Sequence, residues 1–230
     1  MKRLVFVCIA GVLGSFSFGC SPVAVGDPCT PEGEFSNTSG AANPTDLTID
    51  VNSVQCETRV CLQHYFSGRV SCPFGNGNVA GQTGKCRQVG DRRGWYTIDG
   101  SSTGKLCCPV PGDPAETPIK NPVPAQCSSR PAAESVYCSC RCDIPDPSTI
   151  PGATDDDRKA LDRNNVQLCK CPTGYACKPL CDATNGNCSI VPKGKWGSYC
   201  VKDGKNGSGY DPNDVSGAAV KCGQPLPPPS

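Results

Sequence analysis

Residues 136–142, "VYCSCRC", place Cys138, Cys140 and Cys142 at every second position. Thiols this close can hold a soft metal, exchange as a redox centre, or anchor three disulfides. In an extended strand they share one face, about 6.6 Å apart at a rise of about 3.3 Å per residue. Zinc holds its sulfurs about 2.3 Å from one centre, which an extended C-x-C does not supply without a turn. The chain has neither paired C-x₂-C zinc ligands nor a C-x-x-C redox pair. "CKC", Cys169 to Cys171, repeats the alternate spacing and can face the first set. Cross-linking of two such strands is the favoured expectation. A zinc or copper thiolate cluster on Cys138, Cys140, Cys142 and neighbours is the rival.

Other chemistry is thinly represented. His64 is the single histidine, in "CLQHYFSGRV", with no G-x-S-x-G nucleophile motif around Ser67. It reads as a strand histidine beside Tyr65 and Phe66. Asp143, Asp146 and Asp155–Asp157 lie in a Pro/Gly-rich stretch, where glycosidase acids would lack a rigid cleft. "DGKNGSGYDPND" (203–214) has the oxygen ligands and glycines of a calcium loop, but not the EF-hand order or its final Glu. These acids read as solvated loop charge. Trp95, Tyr96, Trp196 and Tyr199 read as core. No residue is singled out as catalytic, and no enzyme is expected.

The start of the chain is an address. Met1-Lys2-Arg3 precedes the uncharged run "LVFVCIAGVLGSFSFG", ending at Cys20. A basic head, a short apolar run and a small-residue exit describe a secretory signal peptide, here residues 1–19. The run is short of the roughly 20 apolar residues a membrane span needs. "SFGC", Ser17 to Cys20, resembles the lipobox of bacterial lipoproteins, with Ser17 where that family usually has Leu and a bulky Phe18. The resemblance implies a diacylglyceryl group on the Cys20 thiol, cleavage before Cys20 and acylation of its new amino group. Several chains, each buried CH₂ adding about 0.8 kcal/mol, give lasting membrane attachment. Ser21, rather than Asp, implies release to the outer membrane. No other cofactor is expected.

Cysteine arithmetic fits export. With Cys8 lost in the leader and Cys20 lipidated, 18 of the 20 cysteines remain. They are Cys29, Cys56, Cys61, Cys72, Cys86, Cys107, Cys108, Cys127, Cys138, Cys140, Cys142, Cys169, Cys171, Cys177, Cys181, Cys188, Cys200 and Cys222. An even count at this density in an oxidising compartment reads as a disulfide framework. The framework answers a need: 26 Gly and 23 Pro, with 6% aromatic residues, leave few periodic hydrophobics. Stretches such as "EGEFSNTSGAANPTDLT" and "DIPDPSTIPGATDDD" offer no apolar face. Bridges contributing roughly 2–4 kcal/mol each replace that missing burial. Loss of Lys2 and Arg3 leaves 20 basic against 21 acidic residues, a net charge of −1, which makes no case for a nucleic-acid partner.

The expected class is a small disulfide-rich fold, mostly β and irregular, in two cysteine-stapled modules with short strands and little helix. A lipidated tether (20–28) leads to a cysteine-rich β module (29–108), opening with the alternating strand "DLTIDVNSV". Turn residues in "FGNGN" and "DGSSTG" separate its later short strands. "PVPGDPAETPIKNPVPA", with six prolines, makes 109–126 an extended linker. A second cysteine-rich module spans 127–222. Its one helix candidate is "TDDDRKALDRNNVQL", with Thr154 as cap and three aspartates at the positive end. A Pro-rich tail fills 223–230. Seven of the 18 cysteines precede the linker and eleven follow it, so full pairing within one chain demands a crossing bridge. The expected crossing joins Cys107 or Cys108 to Cys127, closing the proline loop.

"GDPCTPEGE", "QCETRVCLQHYFSGRVSCPFG", "RPAAESVYCSCRC", "CKCPTGYAC" and "GSYCVKDG" together resemble the cysteine-rich outer-membrane lipoproteins of myxobacteria. That resemblance implies an envelope location and brings no activity with it. "CKCPTGYACKPLC" also resembles the closing segment of an EGF-like module, which implies an adhesion role as a second alternative. The reading is a lipid-anchored, stapled envelope protein. Its partners are the membrane, through the anchor, and an envelope or extracellular protein or glycan.

Overall fold

The structure is a computed structural model that describes residues 24–37, 41–43, 47–76, 84–162, 166–181 and 192–203. Strands dominate: β1 (Leu47–Asp50), β2 (Val60–His64), β3 (Arg87–Gln88), β4 (Tyr96–Thr97), β5 (Val136–Ser139), β6 (Arg141–Asp143), β7 (Tyr175–Cys181) and β8 (Gly197–Lys202). The described helices are short, α1 (Ala132–Ser135) and α2 (Asp155–Ala160). The fold is therefore disulfide-rich and mostly β. Two three-stranded antiparallel sheets, β1-β2-β5 and β6-β8-β7, carry it, with β3-β4 as a separate hairpin.

Alternation explains how a core-poor sequence fills both faces of the first sheet. In β1, Leu47 and Ile49 are buried; in β2, Val60 and Leu62 point the same way. With Tyr137 of β5 they pack against Leu180, Tyr199 and Val201 of the other sheet. Each such aliphatic side chain contributes about 1.5–3 kcal/mol when fully buried. The opposite face presents Cys61 and Cys138, register partners across β2 and β5, in a cluster with Cys29, Cys56, Phe66 and Val136. Cystine sulfur fills space that hydrocarbon fills in a larger domain. Residues 26–28 then lie along β5: Gly26 N–H donates to Cys138 O at 2.8 Å, and Cys138 N–H to Asp27 O at 2.8 Å. Part of the expected tether thus covers a sheet edge that would otherwise stay unpaired.

The proline segment departs from its expected role as a spacer. Ile119 and Val123 are buried with Cys72 and Cys108. Buried Asn76 clamps the segment, its amide donating to Ile119 O and Asn121 O and accepting from Val123 N–H at 2.6 Å. Gly75, at φ +66°, leaves no room for a Cβ, which would sit 2.4 Å from Val123 O. Proline removes donors, but the residues between the prolines keep their carbonyls, and Ile119 O, Asn121 O and Val123 O all accept from Asn76. The two expected modules are also joined: β2 precedes the segment, β5 follows it, and they pair directly.

The candidate helix is real but brief. Thr154 Oγ1 accepts from Asp157 N–H at 3.1 Å while the Asp157 carboxylate accepts from Thr154 N–H at 2.9 Å. That reciprocal pair satisfies two orphan donors of the first turn. α2 stops after six residues, with Leu161 delivered into a cluster with Ile144, Ile150 and Ala153.

Candidate functional site

Seven disulfides join described cysteines: Cys29–Cys61, Cys56–Cys138, Cys72–Cys108, Cys86–Cys107, Cys140–Cys169, Cys142–Cys177 and Cys171–Cys200. The crossing bridge that parity demands is Cys56–Cys138, not a bond from Cys107 or Cys108 to Cys127. Those two neighbours point back to Cys86 and Cys72, across the turns their own segment makes. Cys127 is itself bridged, but to neither of them. Cys20, Cys188 and Cys222 and the side chain of Cys181 lie outside the described set, as do residues 204–214 of the calcium-loop candidate and the tail.

"VYCSCRC" is not one strand. It is split at Cys140, with β5 in the first sheet and β6 in the second. Its three cysteines consequently enter three different bridges instead of forming one ladder. Cys169 of "CKC" does join Cys140, but residues 169–171 form no strand, and Cys171 turns to Cys200 on β8.

The sulfurs gather in three groups, each with its Sγ atoms within 4.8 Å of one another. Cys29, Cys56 and Cys138 form a buried group; Cys140, Cys169 and Cys200 a second; Cys142, Cys171 and Cys177 a third. Cys138, Cys140 and Cys142 fall in different groups, so this trio does not converge on one metal position. A bridged sulfur, moreover, has no thiolate to offer a metal. The second and third groups are contiguous. Cys200 Sγ lies 3.5 Å from Cys140 Sγ and 3.6 Å from Cys169 Sγ, while its bridge partner Cys171 belongs to the third group. Three disulfides therefore stand in one run, from exposed Cys177 through half-buried Cys171 to buried Cys140.

Beside that run opens a cleft of about 940 Å³, with the Cys140–Cys169 bridge in its wall. Arg59, Arg141 and Lys195 line it against one acid, Glu57. Arg59 stands at φ +62°, in the left-handed region, at the end of a turn closed by Arg59 N–H to Cys56 O at 2.9 Å. Non-glycine residues rarely occupy that region. Arg141 is held by Tyr199 Oη and Gly194 O, each at 3.2 Å. This arrangement can receive anionic groups.

His64 occupies β2, 1% exposed, with its ring edge-on to Tyr65 at 4.7 Å. Burial first, then the charges of Arg130 and Lys178, push its pKa down to about 3. An imidazole so reluctant to protonate is a poor general base near neutrality. Trp95 and Tyr199 are buried core residues, as their types suggest.

Two polar devices have no sequence signature. Arg69, 2% exposed, donates to Glu34 O at 2.8 Å and Ser36 O at 2.9 Å. The buried Glu34 carboxylate accepts from Val70 N–H, Ser71 N–H and Ser71 Oγ. Together they tie the 31–36 turn to the segment after β2. An Arg and a Glu 35 positions apart look like ordinary surface charge until the fold joins them. Compared with protein-family models, curated proteins and solved structures, the chain matches none.

Proposed function

We propose that this chain is an exported protein of the bacterial cell envelope, lipid-anchored through Cys20 at the outer membrane, with a structural or binding role and no catalysis. The observation that carries the reading is the set of seven disulfides among the described residues. Bridges at this density form and persist in oxidising compartments, and they supplement a hydrophobic core that this composition keeps small. No described helix is long and apolar enough to cross a membrane. Attachment through acyl groups is what the "SFGC" stretch implies. The cationic cleft at Arg59, Arg141 and Lys195 favours a binding role and an anionic partner.

Intact mass of the mature protein, with and without reduction, tests this. A chain beginning at Cys20 with added acyl mass, gaining one hydrogen per bridged sulfur on reduction, is expected. An unlipidated chain would remove the anchor. Unbridged thiols with bound zinc would favour the metal-thiolate rival, and a hydrolytic activity lost in His64→Ala would overturn the non-catalytic reading.

A further inference from the structure

We propose that the run Cys142–Cys177, Cys171–Cys200 and Cys140–Cys169 is a thiol–disulfide exchange site whose co-substrate is an external thiol. This goes beyond the envelope role, is a stoichiometric exchange and not a catalytic turnover, and rests only on the bridges being formed, not on the lipid anchor. Three observations converge. Cys177 is exposed, so the run has a solvent-facing end. Sulfurs of successive bridges are in contact or within 4.8 Å. The far end, Cys169, lines the cleft with Arg59, Arg141 and Lys195, cations that favour a thiolate.

The steps balance without an oxidant. An external thiolate attacks Cys177 Sγ, forming a mixed disulfide and releasing Cys142 as thiolate. Cys142 attacks Cys171 Sγ, forming Cys142–Cys171 and releasing Cys200. Cys200 attacks Cys140 Sγ, 3.5 Å away, forming Cys140–Cys200 and releasing Cys169. The last pair are already backbone neighbours, Cys200 N–H donating to Cys140 O at 3.0 Å. One thiol enters at Cys177 and one leaves at Cys169. Three disulfides exist before and after, and the proton shed by the incoming thiol is available to the Cys169 thiolate.

The buried group supplies an internal control. Cys29, Cys56 and Cys138 are as close together, but a thiol cannot reach them without unfolding. Exchange rate depends on access as well as on thiolate fraction.

The experiment treats the oxidised, folded protein with reduced glutathione, quenches by alkylation and maps bridges by peptide mass. Glutathione on Cys177, alkyl on Cys169 and new Cys142–Cys171 and Cys140–Cys200 bridges are expected, with Cys29–Cys61 and Cys56–Cys138 intact. Cys142→Ala/Cys177→Ala should slow Cys169 alkylation by roughly tenfold or more, because it removes the accessible end. Alkyl on Cys142 with the inner bridges unchanged overturns the proposal, as does opening of the buried pair at the same rate. So does undiminished Cys169 labelling in the variant. Should the variant not fold, the wild-type map decides alone.

Discussion

The two three-stranded sheets use the same bridge for different ends. In β1-β2-β5, Cys29, Cys56, Cys61 and Cys138 are at most 2% exposed and are packed with Phe66 and Val136. They are core atoms that happen to be covalently joined. Around β6-β8-β7, Cys140 and Cys200 are buried, Cys142, Cys169 and Cys171 are half-buried and Cys177 is exposed, while the apolar packing comes from Leu180, Tyr199 and Val201 on the other face. There each bridge is a cross-brace with at least one cysteine that is not buried. A cystine's burial, more than its presence, thus decides whether it is structure alone or also chemistry.

The sharpest break of that comparison removes one bridge from each side. Cys56→Ala/Cys138→Ala opens a closure spanning 82 residues and empties part of a buried cluster. Chain entropy alone assigns it about 4–5 kcal/mol, and the lost packing adds to that. Against a net stability of about 5–15 kcal/mol, this variant is expected to be largely unfolded in a thermal melt. Cys142→Ala/Cys177→Ala opens 35 residues with little packing lost, so it should stay folded with a cost of about 2–4 kcal/mol. Equal losses would mean that the second sheet's sulfurs are core as well.

The same contrast explains what could be read before the structure. Alternation in "DLTIDVNSV" marks β1, and Thr154 with Asp157 marks the start of α2, because both signals are local. Alternate cysteines at 138, 140 and 142 say that staples converge there. They do not say which partners they take, since all thiols look alike and pairing follows from distant register such as Cys61 opposite Cys138. The proline segment was legible as extended but not as docked. What docks it is Asn76 and the bare approach at Gly75, residues that by type alone only announce a turn. The sulfur run beside the cleft was illegible for the same reason: it exists only once β8 lies between β6 and β7.

Acid probes the first sheet alone over a defined window. His64 is neutral in the fold, with its pKa pushed from 6.5 to about 3 by burial and by Arg130 and Lys178. The unfolded chain therefore binds this proton first. Stability is unaffected well above pH 6.5, falls by about 1.4 kcal/mol per pH unit below it, and levels off below the folded value. Asp99, Asp113 and Asp157 have carboxyls held below the ordinary aspartate value of 3.8, chiefly by hydrogen bonds from Ser101, Thr117 and Thr154 respectively. Their contributions are present at higher pH and fade only as pH falls below that value. Denaturant midpoints between pH 6.5 and 4.5 should therefore decline in the native protein and flatten in His64→Gln. A slope that survives the substitution would place the acid sensitivity outside β2.

The smallest effect lies at α2, whose capping-box aspartate is also hydrogen-bonded to the turn before the second sheet's β8. The Asp157 carboxylate accepts from Gly194 N–H at 2.9 Å, in the turn that leads into β8, while also closing the cap with Thr154. Thr154→Ala removes the hydroxyl that satisfies Asp157 N–H, and loss of such a cap costs about 1 kcal/mol. The first sheet contains none of these groups, so amide exchange should quicken at 155–161 and at the start of β8 while β2 and β5 keep their protection. Uniform acceleration across all strands would mean that both sheets open as one unit. The contrast between a sulfur-filled core and a cross-braced sheet would then describe packing only, without a difference in local stability behind it.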